Sequence, residues 1–217
     1  MKESSAFHSH MHKAALEELE PRKTPQQSRS VATVEAIYDA TIQVLLKKGA
    51  DRLTTVHVAE RAGVSVGTLY QYFPNKQALL FAVLERHMLL VANAVEAACA
   101  ANRFQPLEVM VDELVNRFID AKLADRDTSV ALYRIAANAG GRAIVDGSRK
   151  RFETAITAML QTANLPPSAD VNFMVHMIYL IMAGALRGHL ESHAPPRLTR
   201  KLREHLAKLV VAYCRVM

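Results

Sequence analysis

Cysteine is scarce in this sequence, which contains only Cys99 and Cys214. Two cysteines cannot supply a disulfide framework, so the composition excludes a small disulfide-stapled secreted domain and favours a reducing compartment. Both residues stand among apolar neighbours. We therefore expect both thiols to be buried and unreactive, since a redox sensor needs an exposed thiol with a lowered pKa.

Apolar stretches that would direct export or span a membrane are also lacking. Residues 1–27 mix Ser, His, Pro and charged residues, without the apolar core of a signal peptide. The longest apolar run, FMVHMIYLIMAGAL at residues 173–186, is shorter than the roughly 20 residues that a spanning helix needs. These absences predict a cytoplasmic protein with a flexible tail over residues 1–27 and no membrane partner.

The residue patterns of an enzyme are absent as well. The sequence offers no nucleophile beside a base, no metal-ligand constellation and no phosphate-binding loop, so we expect no enzymatic activity and no cofactor. His8, His10 and His12 could chelate a metal ion, but they lack a fourth ligand, and a solvated tail is the expected role of this segment. The net charge of +6 is compatible with a polyanionic partner, although the surplus is modest.

The apolar residues recur at helical spacing, and no segment alternates as a strand does. The pattern predicts an all-α chain of about nine helices, with breaks at DRD, AGG, NLPPSAD and HAPP. After a first helix from Ser28 that Gly49 closes, and two short helices up to Phe73, the long segments are expected near 76–101, 106–124, 128–138, 143–163, 169–193 and 197–216.

The stretch TTVHVAERAGVSVGTLYQYFPNKQALL, residues 54–80, predicts two short helices around a tight turn. Thr54 and Ser65 are N-cap residues for the two helices, and Gly63 can adopt the positive φ that the turn needs. Pro74 blocks continuation of the second helix, and Asn75 can cap a long helix that starts at Lys76. A helix, a short turn and a second helix with a Ser cap is the spacing of a helix-turn-helix.

The second short helix has side chains suited to a DNA groove. Val66 and Gly67 are small and allow close approach of the backbone, while the hydroxyl and methyl of Thr68 suit a phosphate or a thymine methyl group. Tyr70, Gln71 and Tyr72 follow with hydroxyls and an amide that can reach the DNA backbone or base edges. The sequence therefore favours a DNA-reading helix, although such patterns also occur by chance and the tyrosines could fill a core.

Residues LTTVHVAERAGVSVGTLYQYFPNKQALL, preceded by IYDATIQVLLKKGADR, closely resemble the tetracycline-repressor (TetR) family of bacterial regulators, over roughly residues 29 to 84. The resemblance implies a three-helix DNA-binding domain at 28–84 and a larger helical ligand-binding and dimerisation domain at 85–217. It implies that Leu69 and Phe73 face the core of the small domain. It further implies phosphate contacts from Thr55, Ser65, Thr68, Tyr70, Tyr72 and Lys76, base contacts from Val66, Gly67 and Gln71, and a phosphate or minor-groove contact from Arg29.

The base-reading positions depart from a common pattern because they lack Arg and Lys. Bidentate recognition of guanine is therefore not offered by the short helix. Specificity is expected to depend on thymine methyl groups, on Gln71 and on the shape of the DNA.

The two C-terminal helices predict an association surface. Residues 173–186 are apolar on every side, with the small residues Ala183, Gly184 and Gly188 at or near this run, and a helix of this kind must be buried. The last helix is amphipathic and basic, which also suits a membrane surface. A dimer interface formed by the helices at 169–193 and 197–216 is the favoured interpretation.

A small-molecule site is expected among the middle helices. Residue type alone suggests candidates, for each of which plain core packing is the more ordinary role: Met110, Phe118, Tyr133, Arg134, Phe152, His176 and Met177. The expected function is that of a homodimeric repressor that a small-molecule effector releases from a pseudo-palindromic operator. The alternatives are a helical enzyme and a dimeric adaptor without operator-specific DNA binding.

Overall fold

The computed structural model describes residues 28–192 and 194–216, and every regular element in these ranges is a helix. The predicted tail at 1–27, with His8, His10 and His12, lies outside the described residues. The nine described helices are α1 Ser28–Arg52, α2 Thr55–Ala62, α3 Val66–Tyr72, α4 Lys76–Ala101, α5 Leu107–Leu123, α6 Arg126–Ala136, α7 Ala139–Leu160, α8 Val171–Glu191 and α9 Pro196–Val216. The prediction of an all-α chain is confirmed.

The chain divides into two compact units. The first comprises the described residues up to Arg86 together with Ala131–Ile144, and the second comprises His87–Val130 and the described residues from Val145 onward. The domain boundary expected near residue 84 remains a prediction, because the division also assigns a later segment to the first unit.

The first unit packs α1 against α2 and α2 against α3. Gly49, at φ +77°, interrupts α1 where the sequence predicted its end. The ring of Tyr38 meets the edge of Phe73 at 5.7 Å between centroids, and the guanidinium of Arg86 lies 4.9 Å from the Tyr38 ring while it pairs with Glu35. These contacts hold α1, the end of α3 and α4 around one core.

The junction between α6 and α7 corrects one expectation. The predicted break between two helices is present, but it lies at residues 137–138 and not in AGG. Ala139 begins α7, and the side chain of Asn138 accepts a hydrogen bond from the Gly141 amide at 2.9 Å. A Cβ on Gly140 would lie 2.4 Å from the Phe81 ring, and one on Gly141 would lie 2.1 Å from the carbonyl oxygen of Ile135. Close packing against backbone therefore requires glycine at position 141, whereas a side chain at position 140 would need the Phe81 ring to shift.

In the second unit α9 packs against α5 and against α8. Cys99 and Cys214 are both buried, and burial raises the pKa of these thiols to about 12 and about 11. The prediction of buried thiols is confirmed, and both stay protonated at neutral pH.

Helices α4 and α8 are each long and apolar enough to cross a membrane, by length and composition alone. The most apolar stretch of α4 is 61% buried within the chain, as in a core helix, whereas that of α8 is 28% buried. Helix α8 therefore keeps a large apolar surface that this chain does not cover by itself.

Candidate nucleic-acid interface and effector cavity

The turn between α2 and α3 is built by the caps that the sequence predicts. The Thr54 hydroxyl accepts from the His57 amide at 3.2 Å, and the Ser65 hydroxyl accepts from the Thr68 amide at 2.9 Å. Gly63 adopts φ +69°, and its amide donates to carbonyls at the end of α2. Glycine adopts this left-handed conformation without strain. Together with the two caps, it fixes the angle between α2 and α3.

The inner side of α3 is anchored by apolar side chains. Leu69 and Phe73 are fully buried in the core of the first unit, as predicted. On the same side of the turn, the hydroxyl oxygens of Thr55 and Tyr70 lie 3.1 Å apart, and this contact joins α2 to α3. A helix of seven residues has little stability of its own, so these contacts are what hold α3 in place.

The outer side of α3 presents the predicted DNA-contacting residues. Ser65, Gly67, Tyr70 and Gln71 are exposed, and Val66, Thr68, Tyr72 and Lys76 are half-exposed. Thr55 differs from them, since its side chain is buried and its hydroxyl already faces Tyr70. Arg29 lies in the first turn of α1. The contacts of these residues with DNA remain predictions.

The start of α4 offers a further place in this unit where a phosphate group could bind. The Asn75 side chain accepts from the Ala78 amide at 2.8 Å, which confirms the predicted cap. The ammonium group of Lys76 donates to the carbonyl oxygen of Asp51 at 3.0 Å, and this contact fixes its position beside the first turn of α4. A helix N-terminus and a lysine together favour a phosphate group.

A small apolar cavity lies within the second unit. Its volume is about 10 Å³, and it is lined by Val95, Leu114, Phe118, Phe152, Ile156, Tyr179 and Met182. Phe152 meets the edge of Phe118 at 6.2 Å and stacks on Tyr179 at 6.0 Å between centroids. Burial raises the pKa of the Tyr179 phenol, so that it remains a neutral hydroxyl in this apolar surrounding.

Two of the seven ligand candidates, Phe118 and Phe152, come together in the lining of this cavity. Met110 is buried elsewhere in the second unit, and Met177 is half-buried on α8. His176, also on α8, bonds through Nδ1 to Glu153 at 3.0 Å. Tyr133 and Arg134 belong to the segment of α6 that is assigned to the first unit.

Sequence reasoning missed Tyr179, the aromatic residue that stacks on Phe152. An aromatic hydroxyl within the apolar run of α8 was the available signal, since such a residue combines an apolar body with a polar end. No group of three or more His, Cys, Asp or Glu side chains that could hold a metal ion occurs within 28–192 and 194–216.

Two family models match the chain. One, described as bacterial regulatory proteins of the tetR family, matches residues 37–83, and the other, described as a tetracyclin repressor-like C-terminal domain, matches residues 106–213. The first match contains α2 and α3, and the second covers about half of the chain.

Curated relatives and solved structures agree with these matches. The chain is 31% identical over 144 residues to the HTH-type transcriptional repressor KstR of Mycobacterium tuberculosis, over 65% of this chain and 64% of KstR, which is less than two thirds of that protein. Its fold is similar to FadR of Bacillus subtilis in complex with stearoyl-CoA (TM-score 0.70, 17% identity, 83% of this chain and 98% of FadR). It is also similar to SmeT, the repressor of a Stenotrophomonas maltophilia multidrug efflux pump (TM-score 0.62, 21% identity, 86% and 87% of the two chains). At these identities the structural likeness shows the fold.

Proposed function

Since this chain belongs to the TetR family of bacterial regulatory proteins, we propose that it is a homodimeric transcriptional repressor that a small molecule releases from operator DNA. The similar proteins with stated roles are regulators rather than enzymes. The observation that carries the proposal is α3 itself: its apolar side is locked into the core, while its polar side and the start of α4 face outward.

DNA binding through this face would combine two kinds of contact. The hydroxyls of Tyr70 and Tyr72 and the ammonium group of Lys76 would bind phosphates and orient the protein on the duplex. Val66, Gly67 and Gln71 would face base edges in the major groove. The three base-facing residues include no Arg or Lys to recognise guanine, and the shape of the DNA would therefore contribute to specificity.

Dimer formation is supported by the uncovered apolar surface of α8 and α9. On α8, Phe173 and Leu180 are about half exposed, and a Cβ on Gly184 or Gly188 would meet open space. These four residues recur at helical spacing along one side, and small residues allow a second helix to approach closely. Two copies related by a two-fold axis would read a pseudo-palindromic operator.

The effector would be an apolar molecule that enters the second unit between Phe118, Phe152 and Tyr179, where the cavity of about 10 Å³ would have to enlarge as its lining side chains move apart. Apolar lining with few polar groups is typical of small-molecule sites, and the Tyr179 hydroxyl would give the ligand one polar contact. Two of the structural neighbours are known in complexes, FadR with stearoyl-CoA and SmeT with triclosan. Both compounds are therefore suitable first probes for displacement of bound DNA.

Release by the effector would require a coupling free energy between the effector site and the DNA-binding face. A coupling of about 1–3 kcal/mol weakens operator binding by roughly 5- to 150-fold, which is enough for a switch. The same factor must weaken effector binding when DNA is present, so the coupling can be measured from either side. As a repressor of this kind, the protein would act in the cytoplasm.

The direct test is selection of bound sequences from a random duplex library. A dimeric repressor should enrich a pseudo-palindrome, and its affinity should fall steeply as salt increases. Tyr72→Ala combined with Lys76→Ala should abolish this binding and leave the dimer intact. Enrichment no greater than that of non-specific binding would favour the dimeric adaptor instead.

A further inference from the structure

A second cleft in the second unit has a different chemical character from the apolar cavity. It has a volume of about 440 Å³ and lies among the end of α5, the start of α6, the end of α8 and the first turns of α9. Three arginines line it, Arg126, Arg200 and Arg203. The described residues that complete its lining carry no carboxylate, and they are Leu123, His189, Ala194 and Thr199. We call this feature the arginine cleft.

Two of the three guanidinium groups are held in place by the protein. Arg126 donates to the carbonyl oxygen of Leu190 at 2.8 Å, which links α6 to the end of α8. Arg203 donates to the side chain of Asn116 at 3.1 Å and to Asp120 at 2.5 Å, which links α9 to α5. Each guanidinium has five N–H donors in a plane, so these contacts leave donors for a ligand.

The third guanidinium, that of Arg200, is exposed and has no acidic partner within 4.0 Å among the described residues. Asp120 offsets part of the Arg203 charge, and Asp127, at 4.0 Å from Arg126, is largely exposed to water. The cleft therefore keeps an excess of positive charge.

A neutral polar pair completes the lining. His189 Nε2 and the Thr199 hydroxyl lie 2.8 Å apart, which joins α8 to the first turn of α9. Burial and then the charge of Arg126 lower the pKa of His189, which favours the uncharged ring. The imidazole and the hydroxyl can thus add directional hydrogen bonds beside the fixed charges.

We propose that the arginine cleft binds the oxyanion group, phosphate or carboxylate, of a small metabolite. Guanidinium groups match the geometry of both oxyanions and bind them in a bidentate manner. The volume lies within the roughly 300–1,000 Å³ of small-molecule sites, which is more than a single phosphate needs. The lining shares no residue with the apolar cavity, so this is a second input to the protein that does not depend on the proposed effector.

Calorimetric titration of the full chain with pyrophosphate and, separately, with citrate tests the proposal. Both titrations are done at constant ionic strength. Saturable binding of one probe per chain is expected, and the stronger of the two identifies phosphate or carboxylate as the preferred group. Arg200→Gln should weaken that binding about tenfold or more, because hydrogen bonds to charged groups are lost.

Lys201→Gln is the matched control, because Lys201 is exposed, adjacent on α9 and carries the same charge, but does not line the cleft. This variant should bind the probe within about twofold of the wild type, as expected for an exposed charge that does not contact the ligand. Binding of the probe should also raise the pKa of His189, measured by NMR of its ring protons, since a nearby anion favours the charged imidazole.

Two results would overturn the proposal. One is the absence of saturable binding for both probes with the wild-type protein. The other is an equal loss of binding in Arg200→Gln and Lys201→Gln, which would mean that general surface charge attracts the anions. If neither probe binds but Arg200→Gln weakens binding to random duplex DNA, the cleft is a nucleic-acid contact and the metabolite site does not exist.

Discussion

The hydroxyl oxygens of Thr55 and Tyr70 lie 3.1 Å apart, so a buried side chain at the start of α2 is tied to an exposed one on α3. This contact connects packing with recognition, because the phenol that would face a phosphate is oriented by a buried side chain. Thr55 can thus influence DNA binding through the position of Tyr70.

The Thr55–Tyr70 contact gives a prediction that separates the internal role of the Tyr70 hydroxyl from its proposed contact with a phosphate. Thr55→Val removes the internal partner and keeps the shape, so operator affinity should fall by less than about fivefold per subunit, the value of one hydrogen bond. Tyr70→Phe removes the internal bond and the phosphate contact together and should weaken binding more. Fluorescence anisotropy with a labelled duplex measures both. Equal affinity of Tyr70→Phe and the wild type would contradict this account.

The glycine pair at the start of α7 gives a stability prediction. Gly141→Ala places a Cβ against the backbone of Ile135. The backbone shift needed to remove that overlap should lower the free energy of unfolding by about 1–3 kcal/mol. Gly147→Ala, on the same helix, meets nothing within 4 Å and should raise it by about 0.5–1 kcal/mol. Urea unfolding followed by circular dichroism compares the two, and a similar effect of both substitutions would rule out close packing as the reason for Gly141.

The proposed dimer predicts which exposed leucines matter. Leu180 on α8 and Leu209 on α9 are 48% and 53% exposed, and a glutamate at either position would put an unpaired charge into the interface. Leu180→Glu and Leu209→Glu should therefore sediment as monomers. Leu90 on α4 is 60% exposed and is not part of this surface, so Leu90→Glu should remain dimeric. A dimer of unchanged stability in Leu180→Glu would place the interface elsewhere.

His87 gives a pH-dependent prediction. Burial, followed by the charge of Lys122, lowers its pKa from 6.5 to about 4. The unfolded chain therefore takes up the proton first as the pH falls, and stability is lost between pH 6.5 and about pH 4. Since each pH unit in that window is worth about 1.4 kcal/mol, His87 accounts for a loss of about 3 kcal/mol.

His87→Gln removes this titration and keeps a polar side chain that can face the Ser129 hydroxyl, which lies 3.1 Å from His87 Nε2. The variant should lose less stability than the wild type when both are unfolded in urea at successive pH values between 7 and 4. Carboxylates titrate in both proteins, so the difference between the two curves reports on the histidine alone. Parallel curves would show that His87 has an ordinary pKa.

Local signals in the sequence were sufficient for the helix-turn-helix. Thr54, Gly63, Ser65 and Asn75 each act within three or four residues of the chain, so their roles as caps or turn can be predicted without tertiary contacts. Burial of Leu69 was implied by the resemblance to the TetR family, and the structure confirms it. These are the elements whose predicted and observed structures agree.

Features that depend on distant residues could not be predicted. The requirement for Gly141 arises from the carbonyl of Ile135 at the end of α6, and glycine in a sequence equally suggests a break in a helix. The arginine cleft combines side chains from α6, α8 and α9, and each of them alone resembles an ordinary surface residue. Only the packing of the helices brings Arg126, His189 and Arg203 together.

The most direct test of the central claim is the salt dependence of binding to the selected duplex for the wild type, Lys76→Gln and Lys150→Gln. If Lys76 contacts a phosphate in each subunit, the slope of log affinity against log salt should become shallower by about two in Lys76→Gln. Lys150 is exposed on α7, so Lys150→Gln should keep the wild-type slope. An unchanged slope in Lys76→Gln, or affinity that does not depend on salt at all, would contradict DNA binding by this face of the protein.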